Sequence, residues 1–103
     1  MHTSAKTGLG CSAIFPAVVK RLPCPTGSRE APLQCLLFDS WFDEYRGVVC
    51  IISVVNGALH VGADIVAAST GRKYSVHELG LVTPAYYPVK SLYAGQVENY
   101  LRV

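Results

Sequence analysis

The sequence predicts a mainly β chain: a small barrel or sandwich led by one short helix. Three observations carry this. β-Branched and aromatic residues gather in short runs after position 33. Turn-forming residues punctuate those runs at intervals of ~8–12 residues. An apolar stripe of helical period occurs only before position 23. The 103 residues suit one domain or part of one. Half the residues are hydrophobic and 16% are charged, which excludes a disordered tail. Nine glycines and six prolines exclude a coiled coil.

Residues 1–22 read as a loop and then a helix. Thr7-Gly8-Leu9-Gly10 is flexible, and Ser12 is a candidate N-cap. Ile14, Val18 and Leu22 recur on one face, widened by Phe15 and Val19. Lys20 and Arg21 fall in the last turn, where cations suit the helix dipole. Pro23 and Pro25 end the helix, and Pro16 is tolerable only in its first turn. So short a helix needs a surface to cover. Residues 23–32 hold three prolines and a glycine and read as a linker.

Residues 33–103 read as strands. Leu33–Phe38 is apolar on both sides and is expected to be largely buried, with a polar turn at 39–44 carrying Trp41 and Phe42. Gly47–Val55 is a β-branched strand, followed by Asn56-Gly57 as a hairpin turn. Gly62 marks a turn, Ile65–Ala68 a short strand and Ser69–Arg72 another turn. Lys73–Val82 alternates, with Tyr74, Val76 and Leu79 inward, until Thr83-Pro84 breaks it. Ala94–Val97 begins a further strand. No internal repeat is present.

A net charge of +2 makes nucleic-acid binding no default. Residues 1–32 carry four cations and one anion, and residues 33–103 five cations and six anions. The longest apolar stretch is far shorter than the ~20 residues of a membrane span, and the first residues lack a signal-peptide pattern. Cys11, Cys24, Cys35 and Cys50 include no C-x-x-C pair, so zinc is not implied. Cys35 and Cys50 sit in apolar runs and read as buried, reduced thiols. His2, His60 and His77 lack metal-ligand spacing.

Catalytic motifs are missing. There is no nucleophile elbow, no phosphate loop and no dinucleotide fingerprint. Asp39, Asp43 and Glu44 could pair as acid and base, but a solvated turn is the plainer reading. By its own residues, the chain is a binding or structural module with no catalytic and no metal-ligating set.

Specific motifs then accumulate. Ser4-Ala5-Lys6-Thr7-Gly8 looks like the fifth guanine-nucleotide motif of translational GTPases. Phe38-Asp39-Ser40-Trp41-Phe42-Asp43-Glu44-Tyr45-Arg46-Gly47-Val48-Val49 strongly resembles the opening of the second domain of the LepA (elongation factor 4) family. Asn56–Leu59 followed by Gly62, Ser69–Pro84 and Leu92–Val97 are similar to the same domain. The resemblance covers about residues 3–97. It implies a translation-factor-type β-barrel, incomplete at its C-terminus, in three parts: a GTPase-domain remnant (1–22), a linker (23–32) and barrel domain II (33–103).

The resemblance also implies a function. The family couples GTP hydrolysis to the ribosome, promoting back-translocation and fidelity of protein synthesis. This chain would supply the interdomain and ribosome-facing barrel. Ser4, Ala5 and Lys6 would be the remnant of the guanine-base site, and Arg46, Arg72, Lys73 and Lys90 the candidate contacts to small-subunit ribosomal RNA. GTP and magnesium belong to the intact protein, and this chain alone is expected to hydrolyse none. The implied partners are the ribosome and the rest of its own GTPase domain, with peripheral membrane association of the intact protein and no DNA. The implied location is the mitochondrial matrix, extending to the inner membrane, with a bacterial cytoplasm as the alternative. The rival reading is a stand-alone, non-catalytic β-barrel that binds RNA or protein. The chain departs from the family pattern at Gly62-Ala63-Asp64, at Pro16 and at Glu98-Asn99.

Overall fold

Gly10, with φ at 69°, turns the chain into a single 3-10 turn, Cys11–Ala13, which runs directly into α1 (Ile14–Arg21). The computed structural model describes residues 1–97 and 99–103. Ser12 lies inside the 3-10 turn and caps nothing, because the chain is already helical before Ile14. Pro16 falls in the first turn of α1, the place in a helix where proline is tolerated. Lys20 and Arg21 occupy the last turn as expected. No residue of α1 is buried, and Phe15 and Val19 stand about four-fifths exposed. Its apolar face covers no surface among the described residues.

The main sheet has five antiparallel strands in the order β1-β2-β9-β6-β7. These are β1 (Gln34–Asp43), β2 (Gly47–Asn56), β9 (Asn99–Arg102), β6 (Glu78–Thr83) and β7 (Ala85–Val89). Two short ribbons complete the fold: β3 (Ala58–His60) with β8 (Ser91–Tyr93), and β4 (Asp64–Val66) with β5 (Lys73–Ser75). The sheet does not close. β1 and β7 are its edges, which leaves an incomplete barrel.

The core lies on one face. Cys50, Leu101 and Leu79 stand opposite one another across β2, β9 and β6. Ile52 and Val54 extend the row, and Leu59, Val76 and Leu92 close over it from the small ribbons and the β5–β6 link. Burying each such side chain is worth about 1.5–3 kcal/mol. Cys50 is a small hydrophobe there, and burial pushes its thiol pKa up. All four cysteines are free thiols.

Several expectations are corrected. β1 does not stop at Phe38 but runs through Trp41 and Phe42, and the turn is Glu44–Arg46. A bulge between Leu37 and Asp39 resets the pleat and lets polar Asp39 and Ser40 stay in the strand. Nor is β1 buried: from Gln34 to Phe42 every residue is exposed, Cys35 included, because β1 is an edge with no layer above it. Asn56-Gly57 is not a hairpin turn. β2 pairs with β1 and β9 while β3 pairs with β8, so this dipeptide is a corner where the chain changes sheets. Lys73–Val82 splits into β5 and β6 at Val76-His77. Val76 and Leu79 are buried, whereas Tyr74 is 38% exposed. Ala94-Gly95 is a turn, and the strand begins at Asn99. Glu98, half of one departure from the family pattern, lies outside the described residues.

Residues 23–32 have no regular structure, yet they are pinned to the sheet. The Ser28 N–H donates to Asn56 Oδ1 at 3.0 Å, and the Gly57 N–H donates to the Ser28 carbonyl at 2.7 Å. Asn56 in turn donates through Nδ2 to Gln34 Oε1 at 2.8 Å. Gly57 has φ at 77°, and a Cβ there would sit 2.7 Å from the Ala31 carbonyl oxygen. Only glycine meets both demands.

Candidate functional site

The Ser4–Lys6 segment forms a tight exposed loop. The Ser4 N–H donates to the Leu9 carbonyl at 2.9 Å, and the Gly8 N–H donates back to the Ser4 carbonyl at 2.8 Å. Cys11 Sγ also approaches the Ser4 carbonyl at 3.5 Å. The Ala5 and Lys6 N–H groups donate to nothing among the described residues, and both residues are exposed. Two adjacent unbonded donors beside a small side chain fit a carbonyl acceptor such as that of a guanine base. No group of three potential metal ligands occurs among the described residues.

The four cations singled out from the sequence do not converge. Arg72 and Lys73 sit on the turn and first residue of the β4–β5 ribbon, with the Arg72 carbonyl accepting from the Ala67 N–H at 2.9 Å. Lys90 lies between β7 and β8, where its carbonyl accepts from the Val61 N–H at 3.1 Å. Beside it, His60 Nδ1 and Ser91 Oγ share a 2.7 Å hydrogen bond. The Arg29 guanidinium stands 4.9 Å from the centre of the Tyr93 ring. Arg46 lies elsewhere, in the β1–β2 turn.

Around Arg46 the structure builds a site that sequence reading missed. The sheet's outer face carries Val49, Tyr100 and Gly80, opposite to the core. The Tyr86 ring from β7 meets the Tyr100 ring edge-on, with centroids 5.2 Å apart. The Arg46 guanidinium lies 5.2 Å above the Tyr86 ring. Trp41, Asp43, Tyr45 and Val49 complete a cleft of about 430 Å³ with these two residues.

Hydrogen bonds fix the frame of this cleft. Asp43 Oδ1 accepts from the Tyr45 and Arg46 N–H groups at 2.8 and 2.9 Å, and these two bonds hold the Asp43 carboxyl pKa below its ordinary value. Arg102 forms an ion pair with Glu78, Nε to Oε2 at 3.2 Å, and reaches the Arg46 carbonyl from its Nη1 at 3.4 Å. The Tyr100 hydroxyl donates to Glu78 Oε1 at 2.7 Å. Burial first, and then that bond, push the Tyr100 pKa up to about 12. The acidic residues here brace a turn and a tyrosine, and Asp39 accepts from the N–H of Ser40. The sequence signal was present in Trp41–Arg46, but the approach of Tyr86 from four strands away depends on the curl of the sheet.

No helix is long and apolar enough to cross a membrane among the described residues. No family model matches the chain. Curated relatives do. The chain is 50% identical over 95 residues to the mitochondrial translation factor GUF1 homologue of Oryza sativa subsp. indica, 92% of the chain and 15% of the relative. It is 51% identical over 96 residues to the counterpart from Phytophthora infestans, again 92% and 15%. It is 44% identical over 94 residues to elongation factor 4 of Clostridium novyi, 91% and 16%. The chain thus spans about a seventh of the length of these relatives.

By fold it is similar to a bacterial selenocysteine-specific elongation factor, with a TM-score of 0.75 at 22% identity, over 97% of the chain and 17% of that structure. The apo elongation factor SelB of Methanococcus maripaludis gives a TM-score of 0.74 at 16% identity, over 97% and 21%. Over more than nine-tenths of its length the chain is thus homologous to translation factors named elongation factor 4 and mitochondrial GUF1, of which it spans about a seventh.

Proposed function

We propose that this chain is the ribosome-facing and interdomain portion of a translational GTPase of the elongation factor 4 type, which promotes back-translocation and fidelity of protein synthesis. The observation that carries the reading is the 50% identity maintained over 95 residues with a translation factor. Residues 1–22 are the end of a GTPase domain, residues 23–32 the linker and residues 33–103 barrel domain II. The unbonded N–H groups of Ala5 and Lys6, with the Ser4 hydroxyl beside them, contact the guanine base in the intact protein. GTP and magnesium are held there by phosphate-binding motifs that this sequence lacks, so the 103 residues alone turn over no GTP.

Arg46, Arg72, Lys73 and Lys90 face small-subunit ribosomal RNA, where each paired phosphate releases counterions. The exposed apolar stripe of α1 meets the rest of the GTPase domain. The relatives named mitochondrial support a mitochondrial matrix location, and the clostridial relative supports a bacterial cytoplasm as the alternative. Peripheral association of the intact protein with the inner membrane belongs to the same reading, and DNA does not.

Co-sedimentation with purified small ribosomal subunits tests the proposal. The chain is expected in the pellet at low salt, and the Arg72→Ala/Lys73→Ala double variant is expected to be depleted from it. A chain that stays in the supernatant at every salt concentration overturns the ribosome-facing role. GTP turnover in proportion to chain concentration overturns the assignment of residues 1–22 as an inactive remnant.

A further inference from the structure

We infer that the cleft formed by Trp41, Asp43, Tyr45, Arg46 and Tyr86 binds one unpaired nucleobase of single-stranded RNA together with its flanking phosphate. The inference rests on the RNA-facing role proposed above and specifies what one part of that surface holds. Three features carry it. First, three aromatic side chains from two separate stretches of chain, the β1–β2 hairpin and β7, line one cleft. Tyr45 is 95% exposed, Tyr86 44% and Trp41 38%. Side chains of this kind exposed together offer a planar base two faces to stack on.

Second, the charges are arranged for a nucleotide rather than for a simple apolar ligand. The Arg46 guanidinium carbon lies 5.2 Å from the centre of the Tyr86 ring at the cleft wall, which leaves its N–H groups for a phosphate at the rim. Asp43 Oδ1 is occupied by two backbone N–H groups, so Oδ2 is the atom left to accept from the N–H edge of a base. The low pKa of Asp43 keeps that acceptor ionised. The Asp43 carboxylate, set beside the Arg46 cation, favours a ligand that brings an N–H edge together with its phosphate over a bare phosphate. Third, the cleft is held open. Arg102 ties the turn through the Arg46 carbonyl, and Tyr100 supports Tyr86 from beneath. Its volume of about 430 Å³ falls in the ~300–1,000 Å³ range of small-ligand sites. Duplex RNA, with its bases stacked and paired, cannot present a base to it.

Trp41 is the single tryptophan, so its fluorescence reads the cleft directly. The experiment titrates the 103-residue chain with a single-stranded RNA tetranucleotide containing one guanine, with all-uridine RNA, with a blunt RNA duplex, with inorganic phosphate and with an acidic peptide. Saturable quenching by the single strands is expected, stronger for the guanine-containing one, with none from duplex or phosphate. Tyr45→Ala and Arg46→Ala should each weaken binding by at least about fivefold, the lower end of the loss seen when one stacked base is given up. Because Tyr45 is almost wholly exposed, its truncation leaves the fold intact, which circular dichroism checks. Absence of quenching, quenching unchanged in Tyr45→Ala, or quenching by the peptide but not the RNA overturns the inference. Co-sedimentation with ribosomal subunits without quenching by RNA overturns the cleft and leaves the ribosomal role standing. Quenching without co-sedimentation does the reverse.

Discussion

The ring of Tyr100 occupies the space that a side chain at position 80 would need. A Cβ built on Gly80 would collide with Cε1 and Cζ of that ring. Gly80 is therefore a glycine for packing and not for conformation, since its φ is ordinary. Gly80→Ala is expected to destabilise the chain by about 1–3 kcal/mol, the cost of overpacking a filled site. Urea unfolding followed by circular dichroism measures this as a lowered midpoint.

The same tyrosine makes alkaline pH informative. Its pKa in the folded chain lies near 12, above the ~10 of a free phenol. The folded state therefore holds this proton more tightly than the unfolded state does. Stability from Tyr100 is complete below about pH 10 and declines as pH rises toward 12. Absorbance at the phenolate band should show a late ionisation step, and Tyr100→Phe should remove it.

A polar side chain lies in the core row beside Leu101. Asn99 is fully buried, and neither of its amide atoms finds a partner among the described residues. Leaving such groups unsatisfied costs about 1–3 kcal/mol. Asn99→Val is expected to raise the unfolding free energy by about 1 kcal/mol, measured by the same urea titration.

The long free edge of the sheet should govern behaviour at high concentration. β1 pairs only with β2, and it exposes Leu36, Leu37, Phe38 and Phe42 by half or more. An apolar edge strand templates pairing with another chain. Sedimentation velocity is expected to show self-association that grows with concentration. Leu36→Lys/Phe38→Lys should suppress it without lowering the unfolding midpoint.

How much of this was legible beforehand differs by element. The β-branched run of β2 and the helical stripe of α1 were readable because their periods are local. Pro16 and the Lys20-Arg21 pair sat where helix chemistry requires them. The burial of β1 was misread because apolar composition does not say whether a strand is central or at an edge. The Asn56-Gly57 corner was misread because a positive φ serves a sheet crossing as well as a hairpin. The candidate site was legible through Arg46 and Asp43, each read for a different role. Trp41 and Tyr45 were in view but had no partner until β7 brought Tyr86 across. Contacts made by the curl of a sheet leave no period in a sequence.

The clasp at Ser28, Asn56 and Gly57 carries a mechanical consequence. A floppy tether would let the helix swing without disturbing the strands. Here the tether is anchored at Ser28 to the end of β2, the strand between the β1 edge and β9. Only residues 22–27 lie between the end of α1 and that anchor, so the reach of the helix from the sheet is limited to a six-residue leash.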